Sequence, residues 1–313
     1  MSTTKPIHIV SVSGGKDSAA CLALAVQRVP RDRLRAMFID TGNEHPVSYE
    51  YLTELEQHFD IKIERIQADL TADFAKRRMK IARDQRRGKL RWSNKRKREA
   101  LSVLHPTGNP FLDLCLLQGT FPSNSARFCT RKLKLEVSAN AMLDLHENQP
   151  VIIWQGTKRA DSAKRTSLTK YSRQGARWWM FRPVVDWDDE QIFEYLRESG
   201  TPVNPLYGSG FSRVSCAPCI YSRKAEIALL ADQYPEQIDR IRDWERLVGM
   251  ASKSGFAAFF GGKEIPATPA QRRERFAVDG VVKWSRVDFR KNKQARYEDV
   301  FAPTCQAEHG LCE

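Results

Sequence analysis

The sequence predicts an α/β fold built on a doubly wound parallel sheet. Three observations carry that expectation. The apolar run Ile7–Val12 is followed by a glycine pair and then by the helix-like stretch Ala19–Val26. A second apolar run, Leu34–Ile39, follows that helix. Together they form a strand–helix–strand unit, whose strands lie parallel. Short apolar runs and helical stretches then keep alternating, with Ile61–Ile66 and Val151–Trp154 as further strands.

Between the first strand and the first helix lies Ser13-Gly14-Gly15-Lys16-Asp17-Ser18. A glycine pair at a strand-to-helix turn lets backbone N–H groups face an anion, and the helix N-terminus adds partial positive charge. Lys16 adds a full charge, and Ser13 and Ser18 add hydroxyls. The stretch is therefore read as a phosphate grip. Neither the Walker spacing nor Gly-x-Gly-x-x-Gly is present. Further along, Ser48–Phe59 reads as a helix, 76–104 as a helix interrupted at Gly88, and 105–125 as a loop-rich connection around Phe111–Leu117. Lys132–Leu145 reads as a helix, Val151–Trp154 as a strand ending near Gly156, and Glu190–Glu198 and Lys224–Val248 as helices. Beyond about 250 the pattern weakens. Ligands in such sheets sit at the carboxyl ends of the strands. The loop, Asp40 and Gly156 all follow strands, so they are expected to share one crevice.

A chain of 313 residues with 41% hydrophobic content can bury a large core. No apolar run reaches membrane-spanning length and no secretory pattern opens the chain, so a cytoplasmic protein is expected. Seven unevenly spaced cysteines point to thiol, metal or cluster chemistry rather than a disulfide framework. The net charge of +13 is concentrated: Lys76–Arg98 holds thirteen Lys or Arg and one acid, Asp84. Such a segment is read either as a nucleic-acid contact, with Trp92 stacking on a base, or as a solvated basic helix.

Asp40-Thr41-Gly42, followed by His45-Pro46 and Tyr49, comes directly after the second strand. An acid there can accept from a ribose hydroxyl or hold magnesium. Downstream lie Arg127-Phe128-Cys129-Thr130-Arg131-Lys132-Leu133-Lys134, Gly156-Thr157-Lys158-Arg159-Ala160-Asp161-Ser162, Arg182-Pro183-Val184-Val185-Asp186-Trp187, Asn204-Pro205-Leu206-Tyr207 and Cys216-Ala217-Pro218-Cys219. In this order they resemble the motifs of the PAPS (phosphoadenosine phosphosulfate) reductase family, a branch of the PP-loop ATP pyrophosphatase superfamily, with Ser13–Ser18 similar to the PP-loop. The resemblance covers roughly residues 7–235. It implies an adenine nucleotide alpha hydrolase-like, Rossmann-like fold over 1–235, with a basic insertion at about 76–104. Residues 236–313 are left as a helical, then irregular, C-terminal extension.

The resemblance also implies the site. ATP and magnesium would be held by Ser13, Gly14, Gly15, Lys16, Asp17, Ser18, Asp40, Thr41, Gly42, Gly156 and Arg159. Lys16, Asp17, Asp40 and Cys129 are the candidate catalytic residues. Cys129, Cys216 and Cys219 are candidate metal ligands, since thiolates so spaced take soft metals or an iron–sulfur cluster. Family members with a [4Fe–4S] cluster carry a Cys-Cys pair in the central element, whereas Phe128 stands in its first place here. A cluster would then keep three protein ligands, or borrow Cys115, Cys305 or Cys312; zinc and unligated thiols are the other readings. His45 is expected to line the site, His8 and Cys21 to be structural, and Trp178-Trp179 to be packing.

Three functions follow. The first is cleavage of ATP between the α and β phosphates to adenylate a substrate, for sulfur transfer to nucleic acid bound through 76–98, as in the DNA phosphorothioation members of the family, with a protein partner. The second is a PAPS or APS (adenosine phosphosulfate) reductase releasing sulfite. Against it stands the full Ser-Gly-Gly-Lys-Asp-Ser, which a substrate without pyrophosphate does not need. The third is a non-catalytic nucleotide- or nucleic-acid-binding subunit of a modification or defence complex.

Overall fold

The computed structural model describes residues 5–86, 88, 91–146, 149–260 and 268–287. Arg87, Lys89, Cys305 and Cys312 lie outside the described residues. The chain divides into two compact units, one built from residues up to Gln67 with Thr130–Ala217, the other from Ala68–Cys129 with the described residues from Pro218 on.

The first unit is a six-stranded sheet. Its strands are β1 (Ile7–Val12), β2 (Leu34–Ile39), β3 (Ile63–Ile66), β4 (Val151–Gln155), β5 (Tyr171–Arg173) and β6 (Trp178–Phe181), in the order β3-β2-β1-β4-β6-β5. All neighbours are parallel except β5, which pairs antiparallel with β6. The expected parallel α/β sheet is therefore present. Trp178-Trp179 lies within a strand of that sheet, in register with Val151 and Ile152.

Helix α1 (Lys16–Arg28) is buried along its first ten residues, because the small side chains Ala19, Ala20, Cys21 and Ala23 let it approach the sheet closely. Helices α2 (Pro46–Phe59) and α7 (Asp189–Glu198) bury Tyr51, Leu52, Leu55, Ile192 and Leu196 in the same core. Each fully buried Leu or Ile contributes roughly 1.5–3 kcal/mol. On the opposite face, Ile9, Met37, Val151 and Ile153 pack with Met142 of α6 (Glu136–His146). β1 pairs with β2 on one side and β4 on the other, so the direction of winding changes at its carboxyl end. His8 Nδ1 accepts a hydrogen bond from Trp154 Nε1 at 3.0 Å, which fits a structural role.

The second unit is helical. The basic segment forms not one interrupted helix but two, α3 (Thr71–Ala82) and α4 (Asn94–Val103). The loop-rich connection expected over 105–125 contains a helix, α5 (Pro110–Gln118). Asn109 caps it, Pro110 occupies its first turn and Gly119 closes it at φ +70°. Pro235 divides 224–248 into α9 (Lys224–Gln233) and α10 (Pro235–Ala251). Phe111, Phe121, Trp244 and Phe259 form the aromatic centre of the unit, with centroids 5.3–6.5 Å apart. Buried Glu245 accepts from the backbone N–H groups of Phe259 and Val278 at 2.8 and 2.9 Å, and burial pushes its carboxyl up to about 7. Trp92 is only 4% exposed, and its backbone N–H donates to Asp84 at 2.8 Å. The expectation that Trp92 stacks on a base is corrected: its ring is packed in the interior.

Among the described residues no helix is long and apolar enough to cross a membrane.

Candidate functional site

The loop after β1 is built by its own side chains. Ser18 Oγ accepts from the Ser13 N–H at 3.0 Å and donates to Gly15 O at 2.9 Å. Gly14 takes φ +80°, a region that favours glycine. The segment after α7 then holds the loop from outside. Asn204 Nδ2 donates to Gly14 O at 3.0 Å, Ser215 Oγ to Ser13 O at 3.2 Å, and the Lys16 N–H donates to Tyr207 OH at 3.1 Å. The loop is thus fixed in shape before any ligand arrives, the condition under which backbone donors and cations stabilise an anion most effectively.

Charge converges on this loop. Lys16, Asp17 and Lys158 are each under 5% exposed. Lys16 Nζ lies 3.5 Å from Asp17 Oδ2 and 3.4 Å from Asp189 Oδ1. Lys158 Nζ lies 3.2 Å from Asp17 Oδ1 and 3.7 Å from Asp161, and pairs directly with Asp189. Burial works against the Lys158 charge, but Asp17 and Asp189 outweigh it and raise its pKa, so Lys158 is an ammonium. Asp189 is the exposed member, its side chain 66% open, and the two lysines help lower its carboxyl against the effect of its own burial. Its carboxylate thus pairs with both Lys16 and Lys158. Asp189→Asn is therefore expected to tighten pyrophosphate binding without magnesium by about fivefold, the size of a largely exposed ion pair. Titration calorimetry checks this, and weaker binding by the variant would contradict it.

Gly156, directly after β4, backs onto the loop. A Cβ there would lie 2.5 Å from the Asp17 carbonyl carbon and 2.7 Å from the Ser18 nitrogen. Only glycine lets β4 and the start of α1 meet this closely.

After β2, Asp40 accepts from the Gly42 N–H and Tyr49 OH at 2.9 and 2.7 Å and from Gln67 Nε2 at 2.7 Å. These bonds fix the turn through Thr41 and Gly42. Thr41 Oγ1 donates to buried Glu44 at 2.8 Å, and Cys216 Sγ lies 3.7 Å from the same carboxylate oxygen. Burial pushes the Glu44 carboxyl up, with Lys134 opposing and Asp40 reinforcing. A cavity of about 460 Å³ opens over the ends of β1, β2 and β4. Ser13, Ser18, Glu44, Gly156, Lys134 and Arg165 are among the residues that line it. It lies at the carboxyl ends of the strands, with Ser13, Ser18 and Gly156 in its lining, but Asp40, expected in the same crevice, is not among the lining residues, and neither are Lys16 and Lys158.

The structure thus brings together the loop, Glu44 and Gly156, with Thr41 and Cys216 beside Glu44. It turns Arg159 elsewhere, to Asp186 and to Leu168 O at 2.7 Å, and puts Lys158 in the inward place. Lys158, Asn204 and Tyr207 lie in motifs read from the sequence without a site role, and Glu44 and Asp189 were given none either. Lys158 had one usable signal, a cation two residues past a strand-ending glycine.

The candidate ligand cysteines are divided between the units, Cys216 in the first and Cys129 and Cys219 in the second. Among the described residues no group of three His, Cys, Asp or Glu side chains stands close enough to hold a metal ion. Cys115 is fully buried, and burial pushes its thiol up, which suits packing rather than ligation.

The family model for the phosphoadenosine phosphosulfate reductase domain matches residues 7–222. An uncharacterized 37.8 kDa protein of Escherichia phage 186 is 38% identical over 87% of this chain and 84% of its own length. An uncharacterized nin region protein of Escherichia phage lambda is 28% identical over 94% of this chain and 89% of its own length. Among solved structures, a phosphoadenylyl-sulfate reductase from Candida auris in a phosphate complex overlaps with a TM-score of 0.43 and 15% identity, over 67% of this chain and 81% of that one.

Proposed function

Because the chain belongs to the phosphoadenosine phosphosulfate reductase domain family, we propose that its first unit binds ATP and cleaves it between the α and β phosphates to adenylate an acceptor. The observation that carries the reading is the complete loop, Ser13–Ser18, with two buried ammoniums, Lys16 and Lys158, beside it. Two fixed cations and a shaped loop suit a pyrophosphate leaving group, whose negative charge grows as the bond breaks. A sulfonucleotide offers the loop no pyrophosphate.

In the first step an acceptor oxygen forms a bond to the α phosphorus. The α–β bridging bond breaks, and pyrophosphate leaves with its electron pair. Lys16 and Lys158 neutralise that charge, and the preformed loop holds the phosphates in line. Asp17 already faces Lys16 and Lys158 at 3.5 and 3.2 Å, so magnesium would be held chiefly by the ATP phosphates, with Asp17 beside them, and would supply further charge neutralisation there. For sulfur transfer, a donor at the sulfide level then bonds to the adenylated centre and AMP departs. Nucleic acid is the acceptor class we infer, on the strength of the basic segment. In this reading the donor is an external partner that supplies sulfur at the sulfide level.

The family's own description favours a second reading, reduction of PAPS to sulfite. The two separate in one anaerobic comparison. ATP with magnesium and nucleic acid is expected to release pyrophosphate, while PAPS with thioredoxin is expected to release no sulfite. Sulfite release without ATP turnover would reverse the assignment.

A further inference from the structure

We propose that the second unit binds duplex DNA through its phosphates alone, along cationic stripes on α3 and α4, with no base stacking. This rests on the reading that the acceptor is nucleic acid, and it specifies the form recognised and the residues that recognise it.

The basic segment performs two separable tasks. Three of its cations close helix ends within the unit. Arg78 Nη1 donates to Leu101 O and Leu104 O at 2.6 and 2.9 Å, at the carboxyl end of α4. Lys97 Nζ donates to Ala82 O and Asp84 O at 3.1 Å each, at the end of α3. Arg96 Nη2 donates to Gly249 O, Met250 O and Ser252 O at 2.7, 3.2 and 2.6 Å, at the end of α10. Cations at helix carboxyl ends satisfy orphan carbonyls and oppose the dipole, so these three serve folding.

Five others are exposed without such work. Lys76, Lys80 and Arg83 recur at i, i+4 and i+7 and form one stripe on α3. Lys95 and Arg98 recur at i and i+3 on α4, with Arg91 just before it. Lys80, Arg83, Arg91, Lys95 and Arg98 are exposed and make no ion pair among the described residues. Like charges at these spacings weaken a helix. The first turn of α4 contains Lys95, Arg96 and Lys97 and no acid, against the positive end of its own dipole. A polyanion reverses the sign of both effects.

Burial of the aromatic residues decides the form of nucleic acid. The only aromatic side chains in 71–104 are Phe74 and Trp92, and both are buried. Single strands are usually gripped by stacking bases on exposed aromatic rings, and this surface offers none. What remains reads phosphate, which is densest on a duplex and carries no sequence information directly.

The test is fluorescence anisotropy on the full chain. The probes are two unrelated duplexes of about 20 bp and their separated strands, titrated from about 50 to 200 mM salt. The expected result is equal affinity for the two duplexes, weaker binding of single strands, and a log–log salt slope of about −4.5, from five phosphate contacts. Neutralising Lys80→Gln, Arg83→Gln, Arg91→Gln, Lys95→Gln and Arg98→Gln together is expected to lower affinity by roughly 10³-fold at the lower salt, with the circular dichroism spectrum unchanged. Arg96→Gln is expected to lower the melting temperature and leave duplex affinity within about twofold. Unchanged binding by the neutralised protein, or tighter binding of single strands, would overturn the proposal while leaving a nucleic-acid acceptor standing. No binding of any nucleic acid by the wild type would overturn both. Pyrophosphate release from ATP reports separately on the adenylation reading.

Discussion

Gly156→Ala is expected to lower ATP-dependent pyrophosphate release by about 100-fold. The added methyl would lie 2.5 and 2.6 Å from the carbonyl carbon and oxygen of Asp17 and 2.7 Å from the Ser18 nitrogen. All three are backbone atoms in the first turn of α1, so no side chain can swing aside. Either β4 or the loop must move, and displacement of a positioned group by about 1 Å costs around 100-fold in rate. Overpacking of this kind also destabilises by about 1–3 kcal/mol. The control is Gly208→Ala, where nothing lies within 4 Å of the added methyl. It is expected to keep its activity and melting temperature. Pyrophosphate release and thermal unfolding on the two variants check the pair; full activity in Gly156→Ala would show that the loop tolerates displacement.

The second large effect is expected at Lys158. This side chain is 2% exposed and stands 3.2 Å from Asp17, which is itself buried. Removing one partner of a buried ion pair costs about 3–5 kcal/mol, and the lower end applies here because Lys16 still faces Asp17 at 3.5 Å. Lys158→Ala is therefore expected to lower stability by about that amount and activity by more than 100-fold, since a phosphate-neutralising cation goes with it. Arg159→Ala gives the contrast. Arg159 is 37% exposed and faces Asp186, and removing a surface pair costs about 0–1 kcal/mol. Denaturant unfolding and pyrophosphate titration of both variants decide which of these adjacent cations belongs to the site. An Arg159→Ala effect as large as that of Lys158→Ala would return the role to Arg159.

The contrast between Lys158 and Arg159 also shows what the sequence carries. The glycine-rich loop, the parallel strands and Gly156 are legible because local chemistry dictates them: a strand-to-helix turn needs glycine, and buried parallel strands need continuous apolar runs. Which of two neighbouring cations turns inward depends on the backbone after β4, and composition does not record that. The basic segment was legible as a charge and not as a structure. Arg78, Arg96 and Lys97 find carbonyls 13 to 156 residues away in sequence, and no local pattern shows such partners. Trp92 was misread for the same reason, because a ring surrounded by cations in sequence is packed in the interior in space. The α5 helix was legible in principle. Asn109-Pro110 at its start and Gly119 at its end are helix signals, hidden by the density of Pro and Gly around them.

The proposed chemistry rests on which bond of ATP breaks at the loop. Phosphorus NMR of ATP incubated with the full chain, magnesium and duplex DNA reads this directly. The three ATP resonances are expected to give way to those of pyrophosphate and AMP or an adenylated acceptor, and Lys16→Ala is expected to suppress the change. Appearance of ADP and inorganic phosphate, or stable ATP alongside sulfite release from PAPS, would contradict this chemistry.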